Sequence, residues 1–332
     1  MRRILSARFH AQVIFVIPAL LIILLLPIPS LAQPCNPVNK ERRKGIYQTV
    51  DLLRVVFVVH GKKGEDVGEL RPGDFVVLAD GAPQRVTAFH SLGQNENTCT
   101  GIIIDRSKSR QSTLPNAEIA PIEKFLNSGV DSNHGAFLAG FNDRPISMGG
   151  YSTDATELGR ELLNLGSVEP RGGTALHDAI KWSASKLANV EGYRIVLIVA
   201  EGNDNDSRST AEDAIDDVLK ASTTVYFMRL QPDSSNMETR NASEFTKKIT
   251  VETGGEVFPV HKKDDFEKAF AEFKEDISNL YDIGFLLPTN LKKNTVLHTL
   301  EIKTTRKGLR VIAPSRFYLP NQERAVTANR EK

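Results

Sequence analysis

Asp105, Ser107 and Ser109 alternate within the stretch GIIIDRSKSRQS, directly after the apolar run Gly101 to Ile104. An extended backbone turns residues i, i+2 and i+4 to one side, so one carboxylate and two hydroxyls can converge there. Two further pieces stand later in the chain. Thr174 follows the pair Gly172-Gly173, and Glu201-Gly202 follows the apolar run Ile195 to Val199. Three hydroxyls and two carboxylates are hard oxygen donors of the kind a divalent cation takes. Magnesium binds such donors in an octahedron and tends to keep waters or an external oxygen among them. Neutral hydroxyls in contact with the ion leave it electron-poor, and carboxylates behind them orient the hydroxyls and balance charge. An ion held in this way is a receptor for a carboxylate offered by another molecule.

The elements around these residues must bring them together. From Thr98 onward, apolar strand patterns alternate with amphipathic helix patterns. Strands are expected at Gly101–Ile104, Ala136–Phe141, Ile195–Val199, Thr224–Leu230 and Val257–Val260. Helices are expected near Asn116–Leu126, Asp154–Leu165, His177–Val190 and Glu244–Thr253. Another helix follows a capping box read as Ser209-Thr210-Ala211-Glu212, and a last one carries the stripe Phe266, Phe270, Phe273, Ile277 and Leu280. This alternation predicts an α/β fold with a doubly wound, mostly parallel sheet. Such folds bind ligands in a crevice at the carboxyl ends of their strands, where Asp105 and Glu201 both fall.

The flanks have β character. Residues 46–95 contain strand patterns and the hairpin signal Asp80-Gly81, and residues 281–320 contain three more strand patterns. Each unit alone has little core. The expectation is that they pair into one small β-sandwich, with the α/β domain of residues 96–280 inserted between them. Residues 33–45 read as a linker and residues 321–332 as a disordered tail.

The first 32 residues read as a targeting segment. Arg2, Arg3 and Arg8 precede the nearly continuous apolar run Val13 to Leu26, and Ser30-Leu31-Ala32 supplies small residues before a cleavage site at Gln33. The run is short for a spanning helix, which needs about 20 residues. Export is therefore expected, to a periplasmic, cell-envelope or extracellular location, with an uncleaved anchor as the alternative. The two cysteines, Cys35 and Cys99, can bridge in an oxidising compartment or stay as thiols. With 42 basic residues against 41 acidic ones, net charge gives no reason to expect a nucleic-acid partner.

Asp105-x-Ser107-x-Ser109, then Thr174 in Gly-Gly-Thr-Ala-Leu, then Glu201 after a later strand together resemble a von Willebrand factor A domain with a metal-ion-dependent adhesion site. The flanks Leu70-Arg71-Pro72-Gly73-Asp74-Phe75, Asp80-Gly81-Ala82-Pro83-Gln84 and Tyr281-Asp282-Ile283-Gly284-Phe285 are similar to those of a related acidobacterial group. The resemblance covers most of residues 46–320. It implies a Rossmann-like domain with no enzymatic activity and a cation site formed by Asp105, Ser107, Ser109, Thr174 and Glu201. The ion would be Mg2+, or Mn2+ or Ca2+ in its place, and the partner a protein presenting a carboxylate.

Two departures stand out. Relatives usually carry Asp where this chain has Glu201, whose extra methylene lets it reach the ion, crowd it or hold a water differently. Arg106, Lys108 and Arg110 interleave with the ligands. Turned to the mouth, they would oppose a cation and attract an acidic partner, so a metal-independent scaffold docking acidic surfaces through them is the alternative reading. A hydrolase using Asp105 or Ser107 with His177 is a third, supported by nothing else in the chain. His177 is expected as a solvent-exposed residue at a helix start, Asp178 as a favourable charge near the same helix N-terminus, and Asp204 with Asp206 as an Asx turn.

Overall fold

The computed structural model describes residues 52–62, 67–92, 97–188, 190–230, 237–286 and 297–319. The expected targeting segment, the linker, the tail and the Cys35 end of a Cys35–Cys99 bridge lie outside these residues.

The chain enters through four strands, β1 (Leu52–Gly61), β2 (Phe75–Ala79), β3 (Ala82–Gln84) and β4 (Val86–Ser91). Asp80 and Gly81 link β2 to β3 with φ of 48° and 76°. Both central residues of that two-residue turn take the positive φ that such hairpins require.

The α/β region follows. Its strands are β5 (Thr98–Asp105), β6 (His134–Phe141), β7 (Pro145–Ser147), β8 (Tyr193–Ala200), β9 (Thr223–Leu230) and β10 (Val257–Val260). Its helices are α1 (Ile119–Gly129), α2 (Ala155–Gly166), α3 (Leu176–Leu187), α4 (Ala211–Lys220), α5 (Met237–Thr253) and α6 (Asp265–Ser278). The sheet order is β10-β9-β8-β5-β6-β7, and every pairing is parallel except β6 with β7. All eight residues of β5 are buried, as expected of a central strand covered on both faces. Alternation divides its side chains between two cores. Ile103 packs with Leu176, Ile180, Ile215, Val218 and Ile249 from α3, α4 and α5. Ile102 and Ile104 pack with Ile122, Phe125, Leu162, Leu165 and Phe273 from α1, α2 and α6.

Four more strands, β11 (Leu280–Leu286), β12 (Leu297–Thr304), β13 (Leu309–Ile312) and β14 (Arg316–Tyr318), close the fold. One antiparallel sheet runs β13-β1-β11-β4 and the other β14-β12-β2-β3, so each combines strands from both ends of the chain. Their shared core holds Phe57, Phe75, Val77, Ile283, Phe285, Leu300 and Ile302. This is the sandwich of paired flanks that the sequence predicts, because neither flank has a second layer of its own. No described helix is long and apolar enough to cross a membrane.

Several local expectations shift. The box before α4 is centred on Thr210 and closes on Asp213, one residue later than the sequence reading. Helix α5 starts at Met237 rather than Glu244, because its first turns bury only Ala242 and so carry no apolar stripe; further along, its buried face includes Thr246, Thr250 and Thr253. Those hydroxyls are satisfied inside the helix: Thr250 Oγ1 donates to the Thr246 carbonyl at 2.9 Å, and Thr253 Oγ1 to that of Ile249 at 2.8 Å. Strands β7 and β14, three residues each, carry too little pattern to be read beforehand.

Candidate cation site at the carboxyl edge of the sheet

The chain leaves β5 for β6 on one side and later lays β8 against its other side. The strand order reverses at β5, which opens a crevice outside its carboxyl end. Asp105 is the last residue of β5 and pairs with Phe141 of β6, while Ile104 pairs with Val199 of β8. Asn142 and Glu201 therefore stand just beyond the strand ends on either side of Asp105.

Asp105 and Ser107 are buried at 1 % exposure, and Ser109 lies exposed in a short 3-10 turn, Lys108–Gln111. The Ser107 backbone N–H donates to Asp105 Oδ1 at 2.7 Å, which pins the carboxylate under the loop. The Ser107 and Ser109 hydroxyl oxygens are 3.2 Å apart, brought together by the start of that 3-10 turn rather than by the extended alternation the sequence suggests. The Thr174 loop is tied to the same place through its backbone. Lys108 N–H donates to the Gly172 carbonyl at 3.2 Å, and Arg171 N–H to that of Arg106 at 3.0 Å. A Cβ at Gly173 would stand 2.6 Å from Asp206 Oδ2 and 2.7 Å from its Cβ, so any side chain there would have to displace Asp206. Thr174 N–H donates to Asn205 Oδ1 at 2.8 Å, and its carbonyl accepts from the Asn205 and Asp206 N–H groups.

Burial pushes the Asp105 carboxyl up to about 6. Its two Ser107 hydrogen bonds and the Arg110 charge work against that rise, and the Glu201 charge adds to it. Glu201 is thus within electrostatic reach of Asp105. Its Oε1 is buried without a hydrogen-bond partner, as are Asn142 Oδ1 and Asn203 Oδ1. A buried, unsatisfied oxygen carries a desolvation penalty of about 1–3 kcal/mol. Unpartnered oxygens beyond the ends of β6 and β8, beside the Asp105 carboxylate, are chemically of the type that a hard cation takes.

The interleaved basic residues behave differently from the alternative reading. Arg106 and Arg110 are 1 % and 0 % exposed, and only Lys108 faces solvent. Both guanidiniums turn inward to Glu118, itself fully buried: Arg110 Nη2 lies 2.9 Å from Glu118 Oε2, and Arg106 Nη1 lies 3.6 Å from Glu118 Oε1. Arg106 Nη1 also donates to Asn116 Oδ1 at 2.7 Å, and Arg110 to the Thr113 and Leu114 carbonyls. A docking comb of three exposed cations does not exist. The long apolar stems of Arg106 and Arg110 let them act as core residues once a carboxylate is buried with them.

His177 is also more enclosed than expected. Its side chain is 15 % exposed, stacks edge-on to Phe245 at 4.7 Å and lies 3.4 Å from Asp204. Asp204 accepts from the His177 N–H at 2.9 Å and from Ser207 N–H and Oγ, so it caps α3 and closes an Asx-type turn. Asp178 accepts from the Arg208 and Ser209 N–H groups, so it fastens that loop back to the first turn of α3. Sequence reasoning missed Asn142, Asn203 and Glu118. The signal for Asn142 was present, since it follows the Ala136–Phe141 strand pattern at the same edge as Asp105.

A cavity of about 460 Å3 lies elsewhere, lined among others by Arg54, Tyr193, Arg194, Thr224, Asp282 and Arg316, and includes none of the five candidate ligands.

No protein-family model matches the sequence, and no curated protein matches it. Solved structures similar to this chain include von Willebrand factor A domains. One is the von Willebrand factor type A structure from Catenulispora acidiphila, at 12 % identity and a TM-score of 0.45, covering 82 % of this chain and 75 % of that one. Another is the vWF domain of the type V pili tip protein Mfa5 from Porphyromonas gingivalis, at 11 % identity and 0.44, covering 55 % and 95 %. The similar structures also include an aerotolerance-related membrane protein from Bacteroides fragilis, at 16 % identity and a TM-score of 0.43, covering 55 % of this chain and 98 % of that one. The α/β unit described here is a six-stranded, mostly parallel sheet covered by helices on both faces. What its residues do rests on their own geometry.

Proposed function

We propose that this chain is an exported, non-enzymatic interaction module that holds a divalent cation with Asp105, Ser107, Ser109, Thr174 and Glu201. The ion's remaining position takes a carboxylate from a protein partner. The observation that carries this reading is the 3.2 Å approach of the Ser107 and Ser109 hydroxyls over buried Asp105, beside the unpartnered Glu201 Oε1. Magnesium suits an all-oxygen set of this kind, and manganese would replace it. Asp105 and Glu201 bring two negative charges, and the nearby Arg110 offsets one of them. The cation is therefore held weakly until a partner's carboxylate adds to the shell. Export follows from the basic-then-apolar start and the small residues before Gln33.

Thermal unfolding of the mature protein tests this. Millimolar magnesium is expected to raise the midpoint, chelator to return it, and Ser109→Ala to abolish the response. A partner captured from envelope extracts should be released by chelator. A midpoint indifferent to magnesium and chelator, in wild type and variant alike, contradicts the reading.

A further inference from the structure

At the opposite edge of the parallel sheet, three other side chains meet. His60 comes from β1 of the sandwich, Glu256 from the turn entering β10, and Asp276 from the last turns of α6. One ligand-capable atom from each lies within 4.8 Å of the others. His60 Nε2 is 2.7 Å from Asp276 Oδ1, yet neither that nitrogen nor Asp276 Oδ2 makes a well-directed hydrogen bond. Asp276 is only 2 % exposed, so its second oxygen is buried without a partner. The Tyr226 hydroxyl, also buried, lies against the same carboxylate.

We propose that His60, Glu256 and Asp276 form a second metal site, for a borderline divalent cation of the zinc type, that fastens the β-sandwich to the α/β unit. One imidazole nitrogen with two carboxylates is a donor set zinc takes, leaving a fourth position for water. That water could in turn meet the Tyr226 hydroxyl. Donors about 2.0–2.1 Å from a tetrahedral ion stand roughly 3.4 Å apart. To hold the ion, the His60–Asp276 pair must open by a fraction of an ångström and the wider contacts must close. Arg310 already holds Glu256 through two contacts of 2.9 and 3.1 Å. Each carboxylate oxygen keeps a second lone pair, so this pairing orients Glu256 without consuming it as a ligand.

Glu275 stands beside the same imidazole at 3.7 Å, and Arg310 is the cation paired with Glu256. The site shares no residue with the candidate cation site at the other edge.

Zinc titration of the metal-stripped mature protein tests the proposal, with calorimetry as the readout and Ser109→Ala as the background. One tight zinc per chain is expected, weakened at least tenfold in His60→Gln. Zinc absorption spectroscopy on the wild type needs no variant, and should report one imidazole nitrogen with two or three oxygens near 2.0–2.1 Å. Failure to bind zinc, binding unchanged in His60→Gln, or a zinc shell without imidazole overturns it and leaves only a buried ion pair. None of these results depends on magnesium at Asp105.

Discussion

Arg110 and Glu118 meet at 2.9 Å with both side chains fully buried, eight residues apart and directly beneath the candidate cation loop. Arg106 shares the same carboxylate at 3.6 Å, so one buried anion serves two buried guanidiniums. Asp105, which feels the charge of Arg110, is the second anion of the group.

Glu118→Gln would leave both guanidiniums without a full counter-charge. Breaking a buried pair from one side costs about 3–5 kcal/mol. Urea unfolding should show a loss of that size, whereas Lys108→Ala, on the exposed residue between the two arginines, should stay within about 0.5 kcal/mol. A near-neutral Glu118→Gln would mean that the cluster does not hold the loop.

The Asp105 carboxyl gives the cation-free protein a pH signature. Its folded value near 6 lies above its ordinary 3.8. Below about pH 4 both folded and unfolded chains hold the proton. Between about 4 and 6 the folded chain keeps it longer, so this group's contribution to stability falls as pH rises and levels off above about 6. Relative to Asp105→Asn in chelator, wild type should lose on the order of 2–3 kcal/mol between pH 4 and pH 7.5. Comparing the two pH values cancels any fixed cost of the amide. Parallel stability profiles for the two proteins would contradict the assignment of burial as the dominant cause.

Gly173 and Asp206 give a coupled prediction. Gly173→Ala drives a methyl into the Asp206 side chain and should cost about 1–3 kcal/mol. Asp206→Gly removes the obstacle, so the double variant should recover most of that loss in a double-mutant cycle. Additive losses would show that the glycine is required by something other than this contact.

The central sheet was readable because its strands are short apolar runs with helix stripes between them, and Ile102 to Ile104 show the two-faced burial that such runs require. The strand pattern placed Asp105 at the sheet edge, but the 3-10 turn that brings Ser107 to Ser109 was not readable from alternation. Nor was the inward course of Arg106 and Arg110, because alternation does not reveal a buried acceptor. Glu118 lies at the start of α1, where an acidic residue reads as an ordinary helix-end charge. The His60–Glu256–Asp276 group joins segments some 20 to 200 residues apart and becomes visible only once β1 is placed beside α6. Likewise the first two turns of α5 bury only Ala242, which leaves no apolar periodicity to read there.

Crystals of the mature protein grown with manganese would show by anomalous scattering whether a cation sits at the carboxyl end of β5. One peak is expected, bonded to the Ser107 and Ser109 hydroxyls, with Thr174, Asp105 and Glu201 around it, and lost in Ser109→Ala. A map with no peak there, the serine hydroxyls still bonded only to each other, would contradict it.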